Sequence, residues 1–272
     1  MAETNVTETG VVSAHEAMPI LLPEEPTGFV ETPYLSEIAQ RARVYLKVGL
    51  AVHLTGPAGS GKTAMSLHLA AVLGRPTMLI HGDDQMDTAG LVGDTNGHYR
   101  AHVVDNYIHS VRKTEERSYS MWSDRRLTAA CKQGLTLVYD EFTRSRPEAN
   151  NVLLSVLEER CLDLPRGAGE ESLLEVHPAF RAIFTSNPEE YVGVHKVQDA
   201  LIDRMVNIKM SPPDRQSEIA ITLARTMVSK RDAERIVALV RDFRKQFPHA
   251  DGPTLRSCIM IGKYLRQARA QA

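Results

Sequence analysis

The sequence predicts an α/β fold: a parallel sheet flanked by helices around a phosphate loop, followed by a small α-helical lid. Three observations predict it. The stretch GPAGSGKT at 56–63 lies directly between an apolar run at 50–55 and a helix-forming stretch at 64–73, so strand, glycine-rich turn and helix follow one another. Short continuous apolar runs recur at 77–80, 135–139, 180–186 and 206–210, the form taken by strands buried on both faces. Beyond Ser211-Pro212-Pro213, the clearest linker, the pattern is helical throughout. The expected division is a flexible arm at 1–31, an α/β domain at 32–210 and a helical lid at 211–272.

Taken in order, residues 1–31 are rich in Glu, Thr and Pro without sustained periodicity, which predicts a flexible arm. Its apolar piece at 18–22 reads as a tethered loop, with docking on the body or on a partner as the alternative. From Pro33, residues Leu35, Ile38, Ala39, Ala42, Val44, Tyr45 and Val48 recur at helical spacing until Gly49. In the loop that follows, a Cβ at Gly59 or Gly61 would keep backbone N–H groups from ringing a β-phosphate. The helix beginning near Ala64 points its positive end at the same anion. Gly56, Pro57, Ala58, Gly59, Ser60, Gly61, Lys62, Thr63 and Ala64 form the expected ATP-binding set, with Lys62 on the β- and γ-phosphates and the Thr63 hydroxyl on Mg²⁺.

The strand at 77–80 ends in His81-Gly82-Asp83-Asp84, a loop at a carboxyl edge where ligands sit in doubly wound sheets. An insertion follows: residues 90–97 read as turns, 98–111 as a hairpin and then a helix, and Trp122 opens a helix running to Gly134. The strand at 135–139 delivers Asp140 and Glu141 to its carboxyl end. Asp140 suits a Mg²⁺-bound water and Glu141 suits the water that attacks the γ-phosphate. Alone, a strand ending in two acids fits a helix cap as well; about eighty residues behind a phosphate loop, it fits hydrolysis. Residues 142–147 form a basic loop with Arg144 and Arg146, and 148–160 form one helix with Val152, Leu153, Val156 and Leu157 inward. Apolar pieces at 162–164 and 173–176 flank a hairpin turn at 165–169. The strand at 180–186 ends in Asn187-Pro188, either a polar side chain between attacking water and γ-phosphate or an ordinary Asn-Pro turn. A helical turn at 200–205 carries Asp203 and Arg204, and the lid helices read as 214–227, 232–247 and 254–268, with Arg256 opening the last.

Composition narrows the function classes. The chain has 272 residues, is 43% hydrophobic and 24% charged, and carries a net charge of -2, which gives no reason to expect a nucleic-acid or membrane surface. No apolar run approaches the roughly 20 residues of a membrane span, and the acidic start lacks signal-peptide features, so a cytoplasmic protein is expected. Cys131, Cys161 and Cys258 are too far apart for a metal pair or disulfide framework and read as small core residues. The ten histidines show no ligand spacing, so no metal beyond Mg²⁺ is expected.

The order of phosphate loop, acid-tipped strand, Asn-tipped strand, Arg204 and an Arg-opened lid resembles the AAA+ ATPases, and the hairpin and insertion resemble their MoxR-like branch. YDEFTRSRPEANNVLLSVLEER, HPAFRAIFTSNPEEYVGVHKVQDALIDRM, HGDD and LVGDTNG resemble the gas vesicle protein N family, from about Pro33 to the end. The resemblance implies a homo-oligomeric, hexameric ring ATPase with nucleotide between subunits. Within it, Arg204 matches the arginine finger, Asn187 sensor 1 and Arg256 sensor 2, with Arg144 and Arg146 as further interface arginines. It also implies gas vesicle shell or accessory proteins as partners and a cytoplasmic setting at gas vesicles, which composition does not show. The catalytic set so expected is Lys62, Glu141, Asn187 and Arg204, with Thr63 and Asp140 on the metal. The hairpin tip near Gly167 and Gly169 and the 90–97 loop are the expected client contacts. The alternative is an ATP-gated ring scaffold with little turnover. A DNA-directed ATPase is disfavoured by the acidic balance, and a small-molecule kinase by the acid pair that suits water as nucleophile.

Overall fold

The computed structural model describes residues 20–21, 29–105, 113–165, 172–188, 199–246 and 252–271. Its centre is a six-stranded sheet. Five strands run parallel: β2 (Ala51–Thr55), β3 (Thr77–His81), β6 (Thr136–Asp140), β9 (Arg181–Ser186) and β10 (Met205–Lys209), in the spatial order β3-β6-β9-β2-β10. A two-residue strand β1 (Ile20–Leu21) adds antiparallel to β3, pairing Ile20 with Met78 and Leu21 with Thr77. Ile20 and Leu21 of the arm's apolar piece are therefore docked at the sheet edge, as in the alternative to a tethered loop.

Side-chain alternation assigns the two faces. Leu137, Tyr139, Ala182 and Phe184 point into a core closed by α4 (Arg126–Gln133), α5 (Pro147–Asn150) and α6 (Val152–Glu158). Val52, Leu54, Val138 and Ile183 point the other way, against α1 (Pro33–Lys47) and α2 (Lys62–Val72). α1 starts where Thr32 accepts from Leu35 N and Pro33 needs no amide donor. It buries Leu35, Ile38, Ala39, Ala42 and Leu46, whereas Val44 and Val48, expected inward, lie on its exposed side.

Three departures from the expected elements have local causes. Residues 88–92 form the short helix α3 (Thr88–Val92), and 93–97 start the long strand β4 (Gly93–Asp105). They are not turns, because Asp87 caps the helix by accepting from Gly90 N at 2.7 Å. β4 pairs with β5 (Lys113–Asp124), so the hairpin is present, while 98–105 is strand and the second arm holds Trp122 until α4 begins at Arg126. The two strands pair only with one another among the described strands. The single helix expected over 148–160 is two, α5 and α6. At their junction Asn151 N donates to Glu148 O and Leu154 N to Asn151 O, a tighter three-residue spacing.

β7 (Cys161–Asp163) and β8 (Leu173–Glu175) form the second hairpin; of its expected turn at 165–169, all but Pro165 lies outside the described residues, Gly167 and Gly169 included. The short helix α7 (Asp199–Ile202) precedes β10. After the extended Ser211–Pro213 stretch come α8 (Arg215–Thr226), α9 (Lys230–Gln246) and α10 (Leu255–Ala270), packed on a core of their own with Ile219, Val237, Leu255 and Cys258. Burial pushes the Cys131 thiol up to about 12 and the Cys258 thiol up to about 11, as suits core residues, whereas Cys161 is only partly covered. Among the described residues no helix is long and apolar enough to cross a membrane.

Candidate functional site

The carboxyl edge of the sheet collects the expected residues because β2, β6 and β9 are neighbours in register, so whatever follows each strand emerges at one rim. After β2 the chain turns through Gly56–Gly61 into α2. Gly56 packs so closely on β10 that a Cβ there would lie 2.1 Å from Met210 O. The Lys62 ammonium is buried and donates to Gly56 O at 2.7 Å and Pro57 O at 2.9 Å, which holds it over the loop. Ser60 closes the turn by donating to Pro57 O at 2.9 Å.

α2 and β6 meet through side chains. Thr63 Oγ1 donates to Asp140 Oδ1 at 2.9 Å and Oδ2 at 3.0 Å. Asp140 is buried and Glu141 is the next residue, in a left-handed backbone at φ 51, ψ 42. Its carboxylate is paired with Arg144 Nη1 at 2.9 Å. Arg146 Nε donates to Asp84 O at 2.9 Å, so the two arginines of the basic loop bond within the chain. Asn187, at the tip of β9, is buried at the same rim.

One hydroxyl and one carboxylate are hard oxygen donors of the kind Mg²⁺ takes. Among the described residues no group of three His, Cys, Asp or Glu side chains could hold a metal unaided. That sparse donor set fits a Mg²⁺ whose other ligands are phosphate oxygens and water.

Lys62, Thr63, Asp140, Glu141 and Asn187 are thus brought to one rim, and Arg204 is not. It precedes β10, whose first residue Met205 pairs with Ala51, so roughly 13 Å of strand separates it from its own phosphate loop. There its guanidinium bonds Glu158, and Nη1 donates to Ala200 O at 2.6 Å. Arg256 lies exposed in the first turn of α10, two residues after Thr254. Thr254 meets the phosphate loop directly, since a Cβ at Gly59 would come within 2.7 Å of Thr254 Cβ. The start of α10 is therefore seated on the loop.

Sequence reasoning missed two buried polar groups behind this rim. Thr185 Oγ1 donates to Asp140 Oδ1 at 2.5 Å and accepts from Glu141 N at 2.9 Å. His53, inside β2, lies between Asn207 Oδ1 at 2.6 Å and Ser186 Oγ at 2.8 Å. Burial pushes its imidazole down to about 4, against the Asn207 hydrogen bond, so it is neutral and donates to Asn207 while accepting from Ser186. Strand parity carried the signal for Thr185, which is two residues before Asn187 and hence on the same face.

Known proteins resemble this chain. The AAA domain (dynein-related subfamily) matches residues 51–205. Gas vesicle ATPase GvpN of Ancylobacter aquaticus is 51% identical over 89% of this chain and 68% of its own length. That of Haloferax mediterranei is 42% identical over 90% and 70%. Protein NorQ of Paracoccus denitrificans is 27% identical over 79% and 72%, in keeping with a MoxR-like branch. Among solved structures, a mutant RuvB of Thermotoga maritima superposes with a TM-score of 0.58 at 16% identity, over 92% of this chain and 69% of that one, which shows the shared fold. By family match and by identity over most of its length, the chain belongs to the gas vesicle ATPase GvpN family of AAA domain proteins.

Proposed function

We propose that the chain hydrolyses ATP with Mg²⁺ in a ring of its own copies, and that turnover remodels or assembles gas vesicle shell or accessory proteins in the cytoplasm. The observation that carries the chemistry is the Thr63–Asp140 hydrogen bond, which joins the phosphate loop to the acid strand at the rim where Lys62, Glu141 and Asn187 also stand. The biological setting is supported by the similarity to gas vesicle ATPases.

In this reading Lys62 leaves its loop carbonyls to draw charge from the β- and γ-phosphates. Thr63 and Asp140 hold Mg²⁺, which neutralises phosphate charge when bound. Glu141 orients the attacking water and takes its proton, and Asn187 hydrogen-bonds the water and the γ-phosphate. Arg204, remote from its own loop, serves the neighbouring copy's site, and Arg256 senses the nucleotide from the lid. The lid is the unit 211–272, closing about Ser211–Pro213 on an α/β domain at 32–210. The β7–β8 hairpin carries motion to the client.

The second reading, an ATP-gated ring scaffold with little turnover, is favoured by one observation: Arg144 holds the Glu141 carboxylate in an ion pair. ATP hydrolysis per subunit, measured against protein concentration for wild type and Glu141→Gln with and without shell proteins, separates the two. The ring ATPase predicts activity that rises steeply with concentration and falls at least about 100-fold in Glu141→Gln. Assembly on ATP without turnover under every condition establishes the scaffold, and activity flat with concentration removes the shared site.

A further inference from the structure

Behind the acid pair, one fully buried hydroxyl serves both acids at once. Thr185 is 0% exposed, and its Oγ1 has its one proton committed to Asp140 Oδ1 at 2.5 Å. A lone pair of the same oxygen receives the Glu141 amide at 2.9 Å. Glu141 needs such support, because a non-glycine residue in the left-handed region is held there only by its surroundings. On its other side Gly82 N donates to Asp140 O at 2.8 Å, so the peptide between the two acids is bonded from β3 and from β9.

The faces agree. Asp140 shares the parity of Val138 and Thr185 that of Ile183, both on the α2 side of the sheet, where Thr63 also bonds Asp140. Thr63 bonds both Asp140 oxygens, so once its hydroxyl turns to a metal, Thr185 remains as the Asp140 partner from the sheet. Asn187 follows Thr185 by two residues on the same strand face, which ties the γ-phosphate end of β9 to both acids.

We propose that Thr185 is a positioning residue for hydrolysis: its hydroxyl aims the Asp140 carboxylate at Thr63 and the metal, and fixes the Glu141 backbone that carries the water-orienting carboxylate. The proposal rests on the reading of Asp140 as metal holder and Glu141 as the group that orients water. Valine at 185 keeps the shape and removes both hydrogen bonds, and serine keeps both and removes a methyl group.

The test compares Thr185→Val, Thr185→Ser and Glu141→Gln with wild type by three measurements: steady-state ATP hydrolysis, thermal midpoint, and Mg²⁺ titration of fluorescent ATP-analogue binding, which needs no turnover. Expected for Thr185→Val is a fall in kcat of about 10- to 100-fold, the size of a lost charge-assisted hydrogen bond, with KM for ATP within about threefold. Its half-saturating Mg²⁺ concentration rises several-fold, and Thr185→Ser stays within about threefold of wild type on both measures. The proposal is overturned if Thr185→Val keeps wild-type kcat and Mg²⁺ titration, or if serine loses as much as valine. Should valine not fold, Thr185→Ala takes its place with the same two outcomes. If Glu141→Gln hydrolyses ATP like wild type, the site reading has failed on its own account, and the Mg²⁺ titration still decides whether Thr185 orients Asp140.

Discussion

His53 carries a consequence of burial that can be measured. Its imidazole is ordinarily half-protonated at 6.5 and is held down to about 4 in the fold. Above pH 6.5 folded and unfolded chains are both neutral at this site. As pH falls the unfolded chain takes up the proton first, so stability present above 6.5 is lost progressively down to about 4 and then levels off. The shift corresponds to a loss of about 2 to 3 kcal/mol between pH 7.5 and 4.5. Denaturant unfolding of wild type and His53→Gln at both pH values should show wild type losing more stability by that difference; an equal loss in both would mean that His53 protonates freely in the fold. Neither His53 nor Thr185 was legible as a site residue. Each sits in an apolar strand run, where a histidine or threonine satisfies β-propensity and its hydrogen-bond partner comes from a strand more than 40 positions away. The phosphate loop and acid pair were legible because their spacing is local: Gly56 to Thr63 is one continuous stretch of chain, and Asp140 and Glu141 are adjacent at the end of a strand.

At the scale of elements, the C-terminal helices are held together by an ion cluster that their sequence did not announce. Glu218 on α8 is 0% exposed and accepts from Arg241 Nη1 and Arg244 Nη1 of α9, each at 2.8 Å. Arg244 Nε also donates at 2.8 Å to Pro253 O, next to the Thr254 that abuts the phosphate loop. Replacing Glu218 with Gln leaves two guanidinium groups facing a neutral amide, and because both arginines are partly exposed we expect a cost of about 2 kcal/mol rather than the full buried-charge penalty. Hydrogen exchange should quicken in α8, α9 and the start of α10 while β2 and β9 keep their protection, and uniform loosening across all of them would sink the idea of a separate lid unit. The parallel strands and lid helices were legible for the reason that this cluster was not: buried runs and helical periods are repeated signals, whereas Glu218, Arg241 and Arg244 look like solvated charges until α8 and α9 pack. The β4–β5 ribbon failed differently, since its two strands pair only with one another among the described strands and take no register from the main sheet.

For the whole molecule, the position of Arg204 decides how many copies make a site. Its guanidinium stands at the amino edge of the sheet beside Glu158, while Lys62, Thr63, Asp140 and Glu141 stand at the carboxyl edge, so no single chain brings all five together. If Arg204 serves the next copy, two inactive variants complement one another. Arg204→Ala has an intact acid pair and no finger to lend, and Glu141→Gln has a finger and no working acid. In an equal, randomly exchanged mixture a site works when its own chain is the first kind and its neighbour the second, one chance in two for each. About a quarter of the wild-type rate per subunit should therefore return, against a rate lowered at least about 100-fold for Glu141→Gln alone and roughly 10³-fold or more for Arg204→Ala alone. The double variant Glu141→Gln/Arg204→Ala, mixed with Arg204→Ala, should restore nothing, which separates a lent guanidinium from mere stabilisation of the ring. Should the first mixture stay inactive although both proteins co-assemble, Arg204 acts within its own chain, and its bond to Glu158 becomes a structural tie between α6 and the turn before β10.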